Sequence, residues 1–116
     1  MDILLAKAEE FNGYVKELVN WIRQEGENFK QTELLSECGA GVYDALNDAE
    51  KNPERSHEDF SAAIRLFDEF SWLMNLLVLY GILTEIQSKP LLSVCSDIKE
   101  MIEERESAPC PANRFI

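Results

Sequence analysis

Residues 56–81 read SHEDFSAAIRLFDEFSWLMNLLVLYG, and this stretch decides the fold. Ser56 followed three residues later by Asp59 predicts a capped helix start, because their side chains can satisfy the free N–H groups of a first turn. Phe60, Ala63, Ile64, Phe67, Phe70, Met74 and Leu77 then recur at three- and four-residue spacing, the pattern of an amphipathic helix. From Leu73 to Tyr80 only Asn75 breaks the apolar run, so several neighbours must cover this helix. Gly81 predicts its end, since glycine enters the left-handed conformation without steric cost. At roughly 1.5 Å per residue the helix would be about 36 Å long, and the other segments are of a length to cover it.

Upstream, Leu4, Ala8, Phe11, Val15, Leu18 and Ile22 step by 4, 3, 4, 3 and 4 residues, the spacing of helices packed at shallow angles. Tyr14 and Trp21 widen that face, Asp2 is a suitable cap, and Gly26 marks the end. Gly13 in mid-helix costs about 1 kcal/mol against alanine, which predicts a close helix approach there. A polar connection from Gly26 to Gln31 carries one anchor, Phe29. Thr32 is placed to cap a second helix bearing Leu35, Cys38, Val42, Ala45 and Ala49, with Leu34 and Leu46 beside them. Small residues Gly39, Ala40 and Gly41 cluster on it, and the two glycines lower helix propensity, which predicts that another helix packs tightly there. Asn52-Pro53 stops it.

Downstream, two starts are open for the last helix. Thr84 and Gln87 can form a capping box for a short turn, or Ser88 can cap a helix holding Pro90 in its first turn. Leu91, Val94, Cys95, Ile98, Met101 and Ile102 supply the apolar face, and Glu103 to Ser107 is expected to fray. The expected fold is therefore all-α, an antiparallel up-down-up-down four-helix bundle over residues 1–107. Residues 108–116, with two prolines, are expected to form a flexible tail.

Composition narrows the function. The chain has 116 residues, 22 acidic against 11 basic, a formal charge of −11 and 46% hydrophobic residues. Such a surface repels phosphate backbones and anionic lipid, and the cations form no run, so direct nucleic-acid binding is disfavoured. Cys38, Cys95 and Cys110 are odd in number and lack Cys-x-x-Cys spacing, against a disulfide framework or zinc site. The acidic start at Met1-Asp2 does not read as a signal peptide, and the run from Trp72 to Leu83 is too short to span a bilayer. A soluble cytoplasmic setting is expected.

Few residues point to chemistry. Glu54 and His57 spell the Glu-x-x-His of di-iron bundles, but such a site needs a second copy, and His57 is the chain's sole histidine. The acidic pairs Glu9/Glu10, Asp68/Glu69 and Glu103/Glu104 are sequence neighbours, which diverge by about 100° on a helix. No catalytic, cofactor or metal residues are assigned. The surplus of aromatic surface at Trp21, Phe29, Tyr43, Phe70, Trp72 and Tyr80 either thickens the core or forms a subunit interface. The reading adopted is an interface carried by Trp72, Leu76, Leu79 and Tyr80, which leave the main stripe of the central helix.

Leu35-Ser-Glu-Cys-Gly-Ala-Gly-Val-Tyr-Asp-Ala-Leu-Asn-Asp48, a short linker and Arg55-Ser-His-Glu-Asp-Phe60 together resemble the bacterial four-helix-bundle proteins of the 23S rRNA intervening-sequence group. That group includes the accessory proteins of diversity-generating retroelements. The resemblance runs from Leu34 to Met101, with Leu35, Cys38, Val42, Leu46, Asp48, Ser56, Asp59, Phe60 and Gly81 in compatible places. It implies a four-helix bundle with a tendency to form rings. Ser36 and Glu37 stand where the family has an arginine pair, and Ala45 where it has asparagine. The basic nucleic-acid-binding face of the retroelement proteins therefore does not carry over. The expected function is a non-catalytic, self-associating accessory or scaffold protein, a homo-oligomer to which a basic protein can be drawn. The alternative is an acidic inhibitor that mimics nucleic acid toward a basic nucleic-acid-processing protein.

Overall fold

The computed structural model describes residues 3–26 and 29–107. Asp2, Cys110 and the expected tail at 108–116 lie outside the described residues. Four α-helices follow in order: α1 Ile3–Gln24, α2 Thr32–Lys51, α3 Ser56–Leu79 and α4 Glu85–Ser107, with a one-turn 3-10 helix at Pro53–Arg55. The chain is the all-α four-helix bundle expected of its apolar spacing. Consecutive helices pack on one another, and α4 returns to α1 to close the ring.

Cross-helix pairs fix the antiparallel direction. Arg23 near the end of α1 meets Glu33 at the start of α2, and His57 at the start of α3 pairs with Glu106 at the end of α4. At the centre Phe11 of α1 reaches across to Phe67 and Phe70 of α3, with ring centroids 5.2 and 5.0 Å apart in tilted and edge-on geometry. That arrangement sets positive ring edges against negative faces. Around it lie fully buried Leu4, Ile22, Leu35, Leu73, Met74, Leu77, Ile98 and Ile102, so all four predicted stripes supply the core.

The small residues of α2 act as expected. A Cβ on Gly39 would lie 2.8 Å from Asn12 Oδ1 and 3.1 Å from Val15 Cβ, and one on Gly41 would lie 2.9 Å from Leu66 Cδ1. Adjacent small positions thus admit α1 on one flank and α3 on the other. Gly13 is a correction: nothing lies within 4 Å of its would-be Cβ, and no helix approaches there.

The helix ends correct three further expectations. Ser56 is the first residue of α3 in helical geometry, and its N–H donates to the Pro53 carbonyl. The 3-10 turn thereby feeds α3 directly, and no side-chain cap forms at that start. Thr32 is likewise inside α2, its hydroxyl donating to the Phe29 carbonyl at 2.6 Å, which closes the preceding turn. Glu103 to Ser107 stays helical, with Glu106 engaged by His57.

Gly81 behaves as expected. At φ +76° it lets its own N–H reach Val78 O and the Ile82 N–H reach Leu77 O, so the last carbonyls of α3 are satisfied. Between the two readings of the last helix, the capping box prevails. Thr84 N–H donates to Gln87 Oε1 at 2.9 Å and Gln87 N–H to Thr84 Oγ1 at 3.1 Å, starting α4 at Glu85 and leaving Pro90 inside it.

Candidate functional site

The surplus aromatics divide between core and surface. Phe29 and Phe70 are buried, while Trp21 and Tyr43 are half-buried against the core. On α3, Trp72 is 55% exposed, Leu79 76% and Tyr80 59%. Leu76, between them in sequence, is half-buried against the core and forms the floor of this patch. Spacings of four, seven and eight residues from Trp72 place all four on one outer face of α3. Tyr80 also meets Phe29 edge-on at 6.2 Å between centroids, which anchors it to the α1–α2 connection.

The patch extends onto α2. Gly41 lies opposite Leu66, so Leu34, seven residues before Gly41, stands at the level of Leu73, seven residues after Leu66, in the antiparallel pair. Leu34 is also exposed, and so is Ile86 at the start of α4, at 81%. Leu34, Leu79, Tyr80 and Ile86 therefore gather at one end of the bundle. The opposite end carries Asp48, Glu50, Glu54, Glu58, Glu103, Glu104 and Glu106 on the ends of α2, α3 and α4 and the turn between. Along its outer face α3 itself changes character, from Arg65, Asp68 and Glu69 to Trp72, Leu79 and Tyr80.

A second apolar feature escaped the sequence reading. Between α1 and α4 runs a groove of about 450 Å³, lined by Tyr14, Glu17, Leu18, Trp21, Leu83, Gln87, Pro90, Leu91 and Val94. α4 packs less extensively on α1 than α2 does, and Pro90 has no N–H for the Ile86 carbonyl, so this wall of α4 lacks one helical hydrogen bond. The Tyr14 hydroxyl donates to Glu10 Oε1 at 2.8 Å, and this hydrogen bond, with the carboxylate's charge, raises the phenol's pKa. The available signal was Tyr14, Glu17 and Trp21 on one flank of α1, at spacings of three, four and seven.

The chemistry-bearing residues are dispersed. His57 pairs with Glu106 of α4, while Glu54 sits in the 3-10 turn. Among the described residues no three His, Cys, Asp or Glu side chains gather as a metal-ligand set. Burial pushes the thiols of Cys38 and Cys95 up to about 12, with Glu69 adding to the shift at Cys38, so both stay protonated and unreactive near neutral pH. Among the described residues no helix is long and apolar enough to cross a membrane. Compared with protein-family models, curated proteins and solved structures, the chain matches none.

Proposed function

We propose that this chain is a non-catalytic accessory or scaffold protein of the cytoplasm that self-associates through the outer face of α3. The observation that carries this reading is the exposure of Trp72, Leu79 and Tyr80 over the half-buried Leu76, with Leu34 alongside on α2. Large apolar side chains grouped on one outer face are what association surfaces contain, and aromatic residues dominate their energetics. The distribution of charge supports the same face. Carboxylates crowd the far end of the bundle, so copies joined near Trp72 and Tyr80 keep their most acidic regions apart. The proposed kinship with the intervening-sequence group belongs to this reading, limited to fold and self-association.

The acidic-inhibitor reading fits less well. The acidic end is the feature a nucleic-acid mimic would use, but Lys51, Arg55 and Arg105 are interspersed there, and further carboxylates lie on outer faces of all four helices: Glu9 on α1, Glu37 on α2, Glu69 on α3 and Glu100 on α4. The discriminating measurement is solution mass by light scattering after size exclusion, at low and high salt. A salt-resistant oligomer that Leu79→Glu converts to monomer is expected, since that exposed position tolerates charge in the folded monomer. A strictly monomeric protein at high concentration would overturn the proposal and bring the acidic surface forward.

A further inference from the structure

We infer that the groove between α1 and α4 is a docking site for a basic amphipathic helix of a partner protein. The inference does not rest on self-association, because the groove lies on a different flank from the α3 patch. The groove holds about 450 Å³ of open space. Leu18, Leu83 and Leu91 offer an apolar floor, and Tyr14 and Trp21 stand along one wall. Tyr14 and Trp21 are seven residues apart, about 10 Å along α1. That is the span of anchors at i, i+4 and i+7 on a docked helix.

Charge selects the occupant. The rim on α1 carries Glu17, and Glu10 is held beside Tyr14 by its hydrogen bond. Of the cations of α1, Lys16 lies with Glu9, Asn12 and Tyr43 on the α2 side, Arg23 pairs with Glu33 of α2, and Lys7 stands one heptad before Tyr14, on its flank but outside the lining. Among the described residues lining the groove there is no lysine or arginine. A helix with leucine-like anchors flanked by lysine or arginine meets both features, apolar floor and acidic rim. A second copy of this chain does not, because its exposed apolar face, on α3, is continuous with Asp68 and Glu69, which would confront Glu17.

The test uses the full chain carrying Trp72→Phe, so that Trp21 alone reports on the groove. The probe is a synthetic peptide of about 14 residues, leucine and lysine only, with leucines at i, i+4 and i+7. Saturable quenching or shift of Trp21 emission is expected, with Glu17→Lys weakening binding by about tenfold. Asp44→Lys, on the outer face of α2, should change it by less than about twofold, because screening confines charge effects to roughly 10 Å. Both sites are exposed, and circular dichroism verifies that each variant is folded. No binding of the patterned peptide would overturn the inference. So would equal binding of a scrambled peptide or of one with glutamate for lysine, or an equal loss from Asp44→Lys. A change in solution mass on Glu17→Lys would assign the groove to self-contact instead.

Discussion

The two seams that α2 makes differ in kind from the seam between α4 and α1. Along α2, Gly39 and Gly41 bring neighbouring helices so close that a single added carbon meets side-chain atoms at 2.8 and 2.9 Å. Along the α1–α4 seam, the bulky residues Trp21, Leu83 and Leu91 bound a groove instead of filling the space between helices. Close-packed interiors tolerate neither extra volume nor lost volume. The closed seams are therefore where the fold is specified, and the open seam is where another molecule has room.

The largest test of that contrast sets a core residue against a groove residue. Phe67 is fully buried under Phe11, and Phe67→Ala should cost about 3–5 kcal/mol through lost burial and the cavity left behind. Leu91 is half-buried on the groove wall, where solvent enters the vacated space without leaving a cavity, so Leu91→Ala should cost about 1 kcal/mol. Urea unfolding of both variants measures the difference. Equal losses would mean that the α1–α4 seam is as closed as the two seams of α2.

The two buried thiols sharpen the comparison, one lying on α2 and the other on α4. Each folded-state pKa is raised from 9.0 to about 12, chiefly by burial. The folded protein thus holds protons that the unfolded chain releases. The thiols' contribution is fully present below pH 9 and is lost as pH rises from about 9 to about 12. By about pH 11 the loss should reach roughly 2–3 kcal/mol per thiol. Cys95→Ala should shrink the fall in urea-measured stability between about pH 8 and pH 11 by that amount. In a Cys110→Ser background, thiol labelling should reach Cys95 before Cys38, because the open seam allows α4 to separate without global unfolding. Simultaneous labelling would count against it.

What the sequence disclosed follows the same division. Helix spacing exposed all four core stripes, because a residue such as Phe67 must face inward whatever its neighbours are. The Gly39–Gly41 cluster exposed the tight seams, since two glycines within three residues of a helix need a packing reason. Trp72, Leu79 and Tyr80 were legible as departures from the stripe of α3. The groove was not, because its walls come from residues 14–21 and 83–94, and no local pattern in either records the distance between them. Caps at Ser56 and Thr32 were misread for a related reason. Side-chain propensity marks where a helix can start, but the Ser56 backbone N–H donates to Pro53 and carries the 3-10 turn straight into α3, while the Thr32 hydroxyl is taken by the Phe29 carbonyl.

The smallest effects come from three glycines that share one chemistry and differ in surroundings. At Gly39 an added methyl meets Asn12 Oδ1 and the Cβ and Cγ1 of Val15, which is fully buried and cannot move aside without shifting α1. Gly39→Ala should therefore destabilise by about 1–2 kcal/mol despite better helix propensity. At Gly41 the close contact is the far end of Leu66, a half-buried side chain able to change rotamer, so Gly41→Ala should be nearly neutral. At Gly13 nothing lies within 4 Å, and only propensity acts, so Gly13→Ala should stabilise by about 0.5–1 kcal/mol. The order of the three urea midpoints, Gly13→Ala above Gly41→Ala above Gly39→Ala, is a direct readout of helix separation. An inverted order would place the close approach of α1 at Gly13, as the sequence pattern had suggested, and would remove the distinction between the seams of α2 and that of α4.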